Sequence, residues 1–492
     1  MLRHLLHLFL LFQLVSSTCG DFDSQPDIPV DPFPEYDPQS AIVYRYRQKY
    51  GVNCGSLYVY EHWMTPSVFA CAAGRSASEI DIASGANARA ILENHWNNFI
   101  SESDFSDLAN MGINTIRLPI GYWSLGPEFC DRTPFGPLSD VYRNSWAYIV
   151  RTINLAAEYG LGVLVDLHGA VGSQNGQPHS GISDHQVGLF NSSSNQQKTL
   201  DVLAYLTNQL CTVTNIVGIQ ILNEPVNDPE LPKFYSRAIE TMRQTSTCAQ
   251  TFPLYIHDAF VLEQYSDYVG NRTDFVVQDH HSYFAFTQDD ESKSVSQLTE
   301  EVATSVADSL DTASAKQRDN LIVGEWSGAL TPHSLSLEQD PDEAQRNFSA
   351  TQMKEYSRTT AGWIFWAYKL ENCDTDPGWC FLSAVGNTLP DTFGPYPNGC
   401  QLPSRRSLLA TISAQRSRRD TSDDPSYDQG YSDGYSAARM FCENPIIPSA
   451  LGHVRQYIID GMQSYGPNGV DPDSYSAGFF RGLSDGEADE GR

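Results

Sequence analysis

Two glutamates in this chain stand where apolar runs end. Ile216 to Leu222 closes on Asn223-Glu224-Pro225, and Leu321-Ile322-Val323-Gly324 closes on Glu325-Trp326. A carboxylate leaving a buried strand loses solvation unless it is hydrogen-bonded or protonated, so a pair of them implies a use. Cleavage of a glycosidic bond is such a use. One carboxylic acid protonates the leaving oxygen while one carboxylate attacks the anomeric carbon, and a retaining reaction sets the two about 5–5.5 Å apart.

Groups that meet in this way must come from separate strands with converging ends, as at the C-terminal face of a barrel. Apolar, β-branched runs near 51–55, 114–120, 161–167, 216–222, 253–258, 275–281, 320–325 and 362–368 predict eight strands. Helical stretches fall between them, among them Ser101 to Met111 and Trp146 to Tyr159, the latter ended by Gly160. This rhythm is that of βα units around a parallel sheet. No GxGxxG follows a strand, so a doubly wound nucleotide-binding sheet is not indicated. The expected fold is α/β, a (β/α)8 TIM barrel forming a single catalytic domain over 49–400 with a C-terminal extension. Around it the composition predicts a signal peptide at 1–18, a lead segment at 19–48 and a Ser/Arg/Asp-rich linker at 401–433. A helical segment at 434–465 that would finish the outer ring and an acidic tail at 466–492 complete the expected layout.

The chain resembles the family 5 glycoside hydrolases, and especially the fungal exo-β-1,3-glucanases among them, over roughly residues 49 to 400. The resemblance is carried by GVNCGSLYVYEHWMTPSVF from Gly51, HWNNFISESDF from His95, GINTIRLPIGYW from Gly112 and GLGVLVDLHGAVGSQNG from Gly160. ILNEP from Ile221, DHHSY from Asp279, VGEWSG from Val323 and GWIFWAYK from Gly362 continue it in matching order and spacing. It implies Glu224 as acid/base and Glu325 as nucleophile, with supporting roles for Arg117, His168, Asn223, His281, Tyr283 and Trp366.

Each of these roles has a physical basis. Arg117, permanently charged, would keep a neighbouring carboxylate ionised. Asn223 would donate to the sugar 2-hydroxyl, and His168 and His281 offer donors to sugar or carboxylate. Tyr283 would orient the nucleophile, and Trp366 offers a flat face to a pyranose ring. Glu61 and Trp63 match positions lining the terminal sugar site of the resembled enzymes. Phe286 matches one phenylalanine of an entrance clamp. The second clamp position is Gln177, and the acidic and amide residues that follow it are replaced by Pro178 and His179. The 40 residues between Glu325 and Trp366 are fewer than in those glucanases.

The apolar stretch Leu5 to Val15 is shorter than the roughly 20 residues of a membrane-spanning helix, and no later one reaches that length, so no membrane span is expected after signal cleavage. Ten cysteines fit an oxidising compartment, with Cys373 and Cys380 close enough to pin one loop. Asn-x-Ser/Thr triplets at Asn191, Asn271 and Asn347 are candidate glycan acceptors. A formal charge of −29 argues against nucleic acid and anionic membrane as partners, and suits a neutral, hydroxylated ligand. No cofactor is expected. Asp279, His280 and His281 are poor joint metal ligands, because adjacent strand residues face opposite ways. The expected protein is a secreted, monomeric β-glucosidase or exo-glucanase acting on β-1,3-glucan. The competing readings are the same chemistry on β-1,6-glucan, a glucosylated lipid or sterol or a mannoside, and a non-catalytic carbohydrate-binding barrel.

Overall fold

A computed structural model describes residues 22–74 and 77–393. The signal peptide, the linker, the C-terminal helical segment and the acidic tail lie outside these residues. The described chain divides between a unit that runs from 49 to 392 and includes the lead up to Tyr36, and a second unit to which Asp37–Gln48 belong.

In the first unit eight parallel strands close into a barrel in sequence order. They are β1 (Lys49–Asn53), β2 (Thr115–Gly121), β3 (Gly162–Gly169), β4 (Ile216–Gln220), β5 (Leu254–His257), β6 (Val276–Ser282), β7 (Leu321–Trp326) and β8 (Gly362–Phe365). Closure comes from the pairing of β8 with β1, where Lys49 to Val52 lie against Gly362 to Phe365. Nearly every strand residue is buried, which is why these segments read as continuous apolar runs rather than alternating ones.

The helices begin and end where side chains can satisfy free backbone groups. α1 (Glu102–Asn110) starts at Ser101, whose backbone N–H and hydroxyl both donate to Asp104, at 2.6 and 2.7 Å. α2 (Ser145–Glu158) is followed by Gly160 at φ 71°, a conformation that costs glycine little. Both helices lie within a residue or two of the expected ranges. β8 stops three residues sooner than its apolar run predicts. Beyond Phe365 the pairing becomes irregular: Trp366 and Tyr368 still donate to Trp326 of β7 and Asn53 of β1, while Ala367 donates to Trp379.

Of the cysteines, Cys211 pairs with Cys248 and Cys373 with Cys380, and Cys71 is also disulfide-bonded. Cys54 and Cys130 are buried free thiols, so pairing does not extend to every cysteine. Among the described residues no helix is long and apolar enough to cross a membrane.

Candidate active site

A cavity of about 1060 Å³ opens over the C-terminal strand ends. Eight of the residues singled out from sequence line it: Glu61, Trp63, Glu224, His281, Tyr283, Phe286, Glu325 and Trp366. The other three, Arg117, His168 and Asn223, are buried and bonded to one another or to the lining.

Arg117 is the electrostatic centre. It lies early in β2 rather than at its end, and its guanidinium gathers groups from four other strands. Nη1 donates to Asn53 at 2.9 Å and to Glu325 at 2.8 Å. Nε donates to Gln220 at 2.8 Å, and Nη2 to Asn223 at 2.7 Å, with Asp166 at 3.1 Å. A fully buried cation is tolerable only with such pairing. Arg117→Met would take the shared guanidinium away from Asp166 and Glu325, leaving them to His168 and His281. It is expected to reduce stability by ~3–5 kcal/mol, read as a fall in the urea midpoint at unchanged m-value. A variant as stable as the parent would show that the two carboxylates do not depend on this charge.

Glu325 accepts from Arg117 through Oε1 and from the Tyr283 hydroxyl through Oε2, each at 2.8 Å. Its β7 neighbour must be Gly324, because a Cβ there would overlap the Asp279 carboxylate, to which the Gly324 N–H donates at 2.7 Å. Glu224, just beyond β4, is in the left-handed region at φ 42°. Such a conformation in a non-glycine residue carries strain and tends to occur at functional sites.

His281 joins the two glutamates. Its Nδ1 lies 2.7 Å from Glu224 Oε1 and 3.4 Å from Glu325 Oε2. Those two oxygens are therefore no farther apart than the sum of these distances. Nε2 of the same ring meets Asp279 at 3.2 Å. Burial disfavours the imidazolium, but the charges of Glu325 and Asp279 win and push its pKa up to about 10. Asp279, buried beside His281 and Arg117, is held below its ordinary value.

The two glutamates titrate as a pair. Burial pushes Glu325 up to about 8, against the pull of His281 and Arg117. Burial opposes ionisation of Glu224 too, but its bond to His281 holds it below the usual carboxyl range. Burial of Glu325 and the bond of Glu224 to His281 both favour the shared proton on Glu325. The remaining hydrogen bonds differ between the two. Both Glu325 oxygens already accept from committed donors, a state that favours the carboxylate. Glu224 Oε2 has no hydrogen bond among the described residues and borders the cavity, with His179 at 3.9 Å. Glu325 thus has both oxygens engaged, and Glu224 turns one oxygen to the cavity.

Asn223, expected to meet the sugar, is instead fully buried. Its Oδ1 accepts from Arg117 and one of its two Nδ2 donors faces His168 Nε2 at 3.2 Å. Asp166 escaped the sequence reading and Asp279 entered it only as a poor metal ligand, although each stands two residues before a histidine on the same strand face and pairs with it. His280 turns the other way, to Asp258 at 2.7 Å. The rim holds two aromatics with no such signal. Trp379 is carried on the loop closed by Cys373–Cys380 and packs against Trp63, Tyr283 and Phe286. Phe260 follows β5 in a left-handed conformation at φ 61°.

Glu224, His257 and His281 lie close enough to hold a cation. Their hydrogen bonds oppose it. Both His281 nitrogens face carboxylates, and His257 Nδ1 accepts the Ala259 N–H, which leaves its proton on Nε2. Neither ring offers a free lone pair.

A sequence profile described as "Cellulase (glycosyl hydrolase family 5)" matches residues 82–371. The chain is 32% identical over 355 residues to "Glucan 1,3-beta-glucosidase 3" of Schizosaccharomyces pombe, covering 70% of this chain and 73% of that protein. It is 30% identical over 408 residues to "Glucan 1,3-beta-glucosidase" of Kluyveromyces lactis, covering 71% and 90%. Among solved structures, the rutinosidase from Aspergillus niger superposes with a TM-score of 0.56 at 16% identity, over 69% of this chain and 96% of that one, a likeness of fold.

Proposed function

The chain belongs to glycosyl hydrolase family 5 and is a glycoside hydrolase on a (β/α)8 barrel, and from that premise we propose that it is a secreted retaining β-glucosidase or exo-glucanase acting on β-1,3-glucan of a cell wall. Glu224 passes its proton to the glycosidic oxygen as Glu325 attacks the anomeric carbon. The carbon–oxygen bond to the leaving group breaks and an ester to Glu325 forms. Glu224, now a carboxylate, takes a proton from water, which displaces Glu325 and releases the sugar with its original configuration. The observation that carries this reading is the donor asymmetry around His281. One carboxylate is locked by Arg117 and Tyr283, and the other turns a free oxygen to the cavity. In this reading Trp63 and Glu61, joined by a 2.9 Å hydrogen bond, hold the terminal sugar. Trp366 stacks on it, and Phe286 meets the next unit.

Substrate identity follows the names of the similar glucosidases, and secretion is supported by the disulfides. Asn191, Asn271 and Asn347 are all exposed, as glycan acceptors must be. One experiment tests the whole reading: time-resolved NMR of laminarin digestion by the monomeric enzyme. β-Glucose is expected first, with the α-anomer appearing only by mutarotation. Initial α-glucose would eliminate the retaining mechanism, and initial oligosaccharides would eliminate exo action.

A second substrate reading is favoured by the rim, where Trp63, Phe260 and Phe286 are 46%, 54% and 68% exposed. Bare aromatic faces also suit the apolar aglycone of a glucosylated lipid or sterol. Higher kcat/KM on such a glucoside than on laminarin, with pustulan inert, would select it.

A further inference from the structure

The reading above leaves His179 without a task, although it stands beside the proposed acid/base. This residue belongs to the Gln177-Pro178-His179 segment after β3 and lines the cavity. Its Nε2 is 3.9 Å from Glu224 Oε2, the oxygen that would carry the acid's proton in the proposed mechanism. Its Nδ1 is 3.4 Å from His168 Nε2, and His168 Nδ1 is 2.7 Å from Asp166. Asp166 accepts from His168 Nδ1–H, and the lone pair of His168 Nε2 faces both the Asn223 amide at 3.2 Å and His179 Nδ1 at 3.4 Å, while the opposite nitrogen of His179 faces Glu224. Asn175 supports the ring, with Nδ2 3.5 Å from His179 Nε2 and 3.1 Å from the Glu224 carbonyl. The titratable groups facing His179 are Glu224 from the end of β4 and His168 from β3, with Asp166 and Arg117 behind His168.

We propose that His179 is a positioning residue that acts through Glu224: its charge sets the acidity of the acid/base on the side where the leaving group departs. A protonated imidazole beside Oε2 stabilises the carboxylate left when Glu224 gives up its proton, and a neutral one does not. Departure of a basic leaving group is therefore helped by His179, and departure of a group that needs no proton is indifferent to it. No atom of His179 enters the reaction. The inference rests on the proposed roles of Glu224 and Glu325.

His179→Gln and His179→Asn separate the possibilities. With phenyl β-glucoside, a poor leaving group, kcat/KM is expected to fall about tenfold, a fraction of what general acid catalysis supplies. With 2,4-dinitrophenyl β-glucoside it is expected to stay within about twofold, because that phenolate leaves unprotonated. Equal losses on the two substrates would make His179 a packing residue and overturn the proposal. A parent enzyme inactive on both aryl glucosides would instead sink the β-glucosidase reading on which the proposal stands.

Discussion

Glu325→Ala is expected to lower kcat on an aryl β-glucoside by about 10⁴–10⁶-fold, the range seen when a covalent nucleophile is removed from an intact site. The fold should survive. Glu325 is buried against two cations, Arg117 and His281, but Arg117 keeps Asp166 at 3.1 Å and His281 keeps Asp279 at 3.2 Å, so neither cation is orphaned. The truncation opens a space at the foot of the sugar. Azide can occupy it and attack the anomeric carbon directly, which should restore part of the rate and yield the α-glycosyl azide. The product's configuration is the decisive observation, because it reports the face from which Glu325 acts. Undiminished turnover, or rescue that yields the β-azide, would remove the nucleophile assignment.

Glu224→Ala should produce a different pattern. Loss of about 10²–10⁴-fold is expected on substrates with poor leaving groups, since proton delivery is what they lack. A 2,4-dinitrophenyl glucoside should still form the glycosyl-enzyme, seen as a burst of dinitrophenolate, and then stall, because no base activates water for the second step. Azide needs no such base. It should discharge the intermediate as the β-glycosyl azide, the opposite anomer to that of the Glu325 variant. The two variants thus test the donor asymmetry directly. If Glu325 rather than Glu224 carried the productive proton, the two azide products would be exchanged.

The candidate site was legible in sequence to the extent that its chemistry is local. Glu224 and Glu325 were visible as carboxylates closing apolar strands, and the eight strands as buried runs, because a strand covered on both faces must be apolar throughout. Arg117, His281 and Tyr283 could be named, and the structure brings all three to the two glutamates. The partners that fix their states could not be read with the same ease. Asn53 and Gln220 reach Arg117 across 64 and 103 residues of sequence, and no local pattern records such a distance. Trp379 reaches the rim through a disulfide-closed loop that has no strand or helix period.

What the sequence determined by itself was the barrel and the identity of the two carboxylates, since burial along a strand and a polar residue at its end are properties of neighbouring residues. How differently the two carboxylates are bonded was decided only in the tertiary structure. There the charges of Arg117 and His281, the hydroxyl of Tyr283 and the open side of Glu224 meet within a few ångströms, and protonation depends on those distances rather than on residue type.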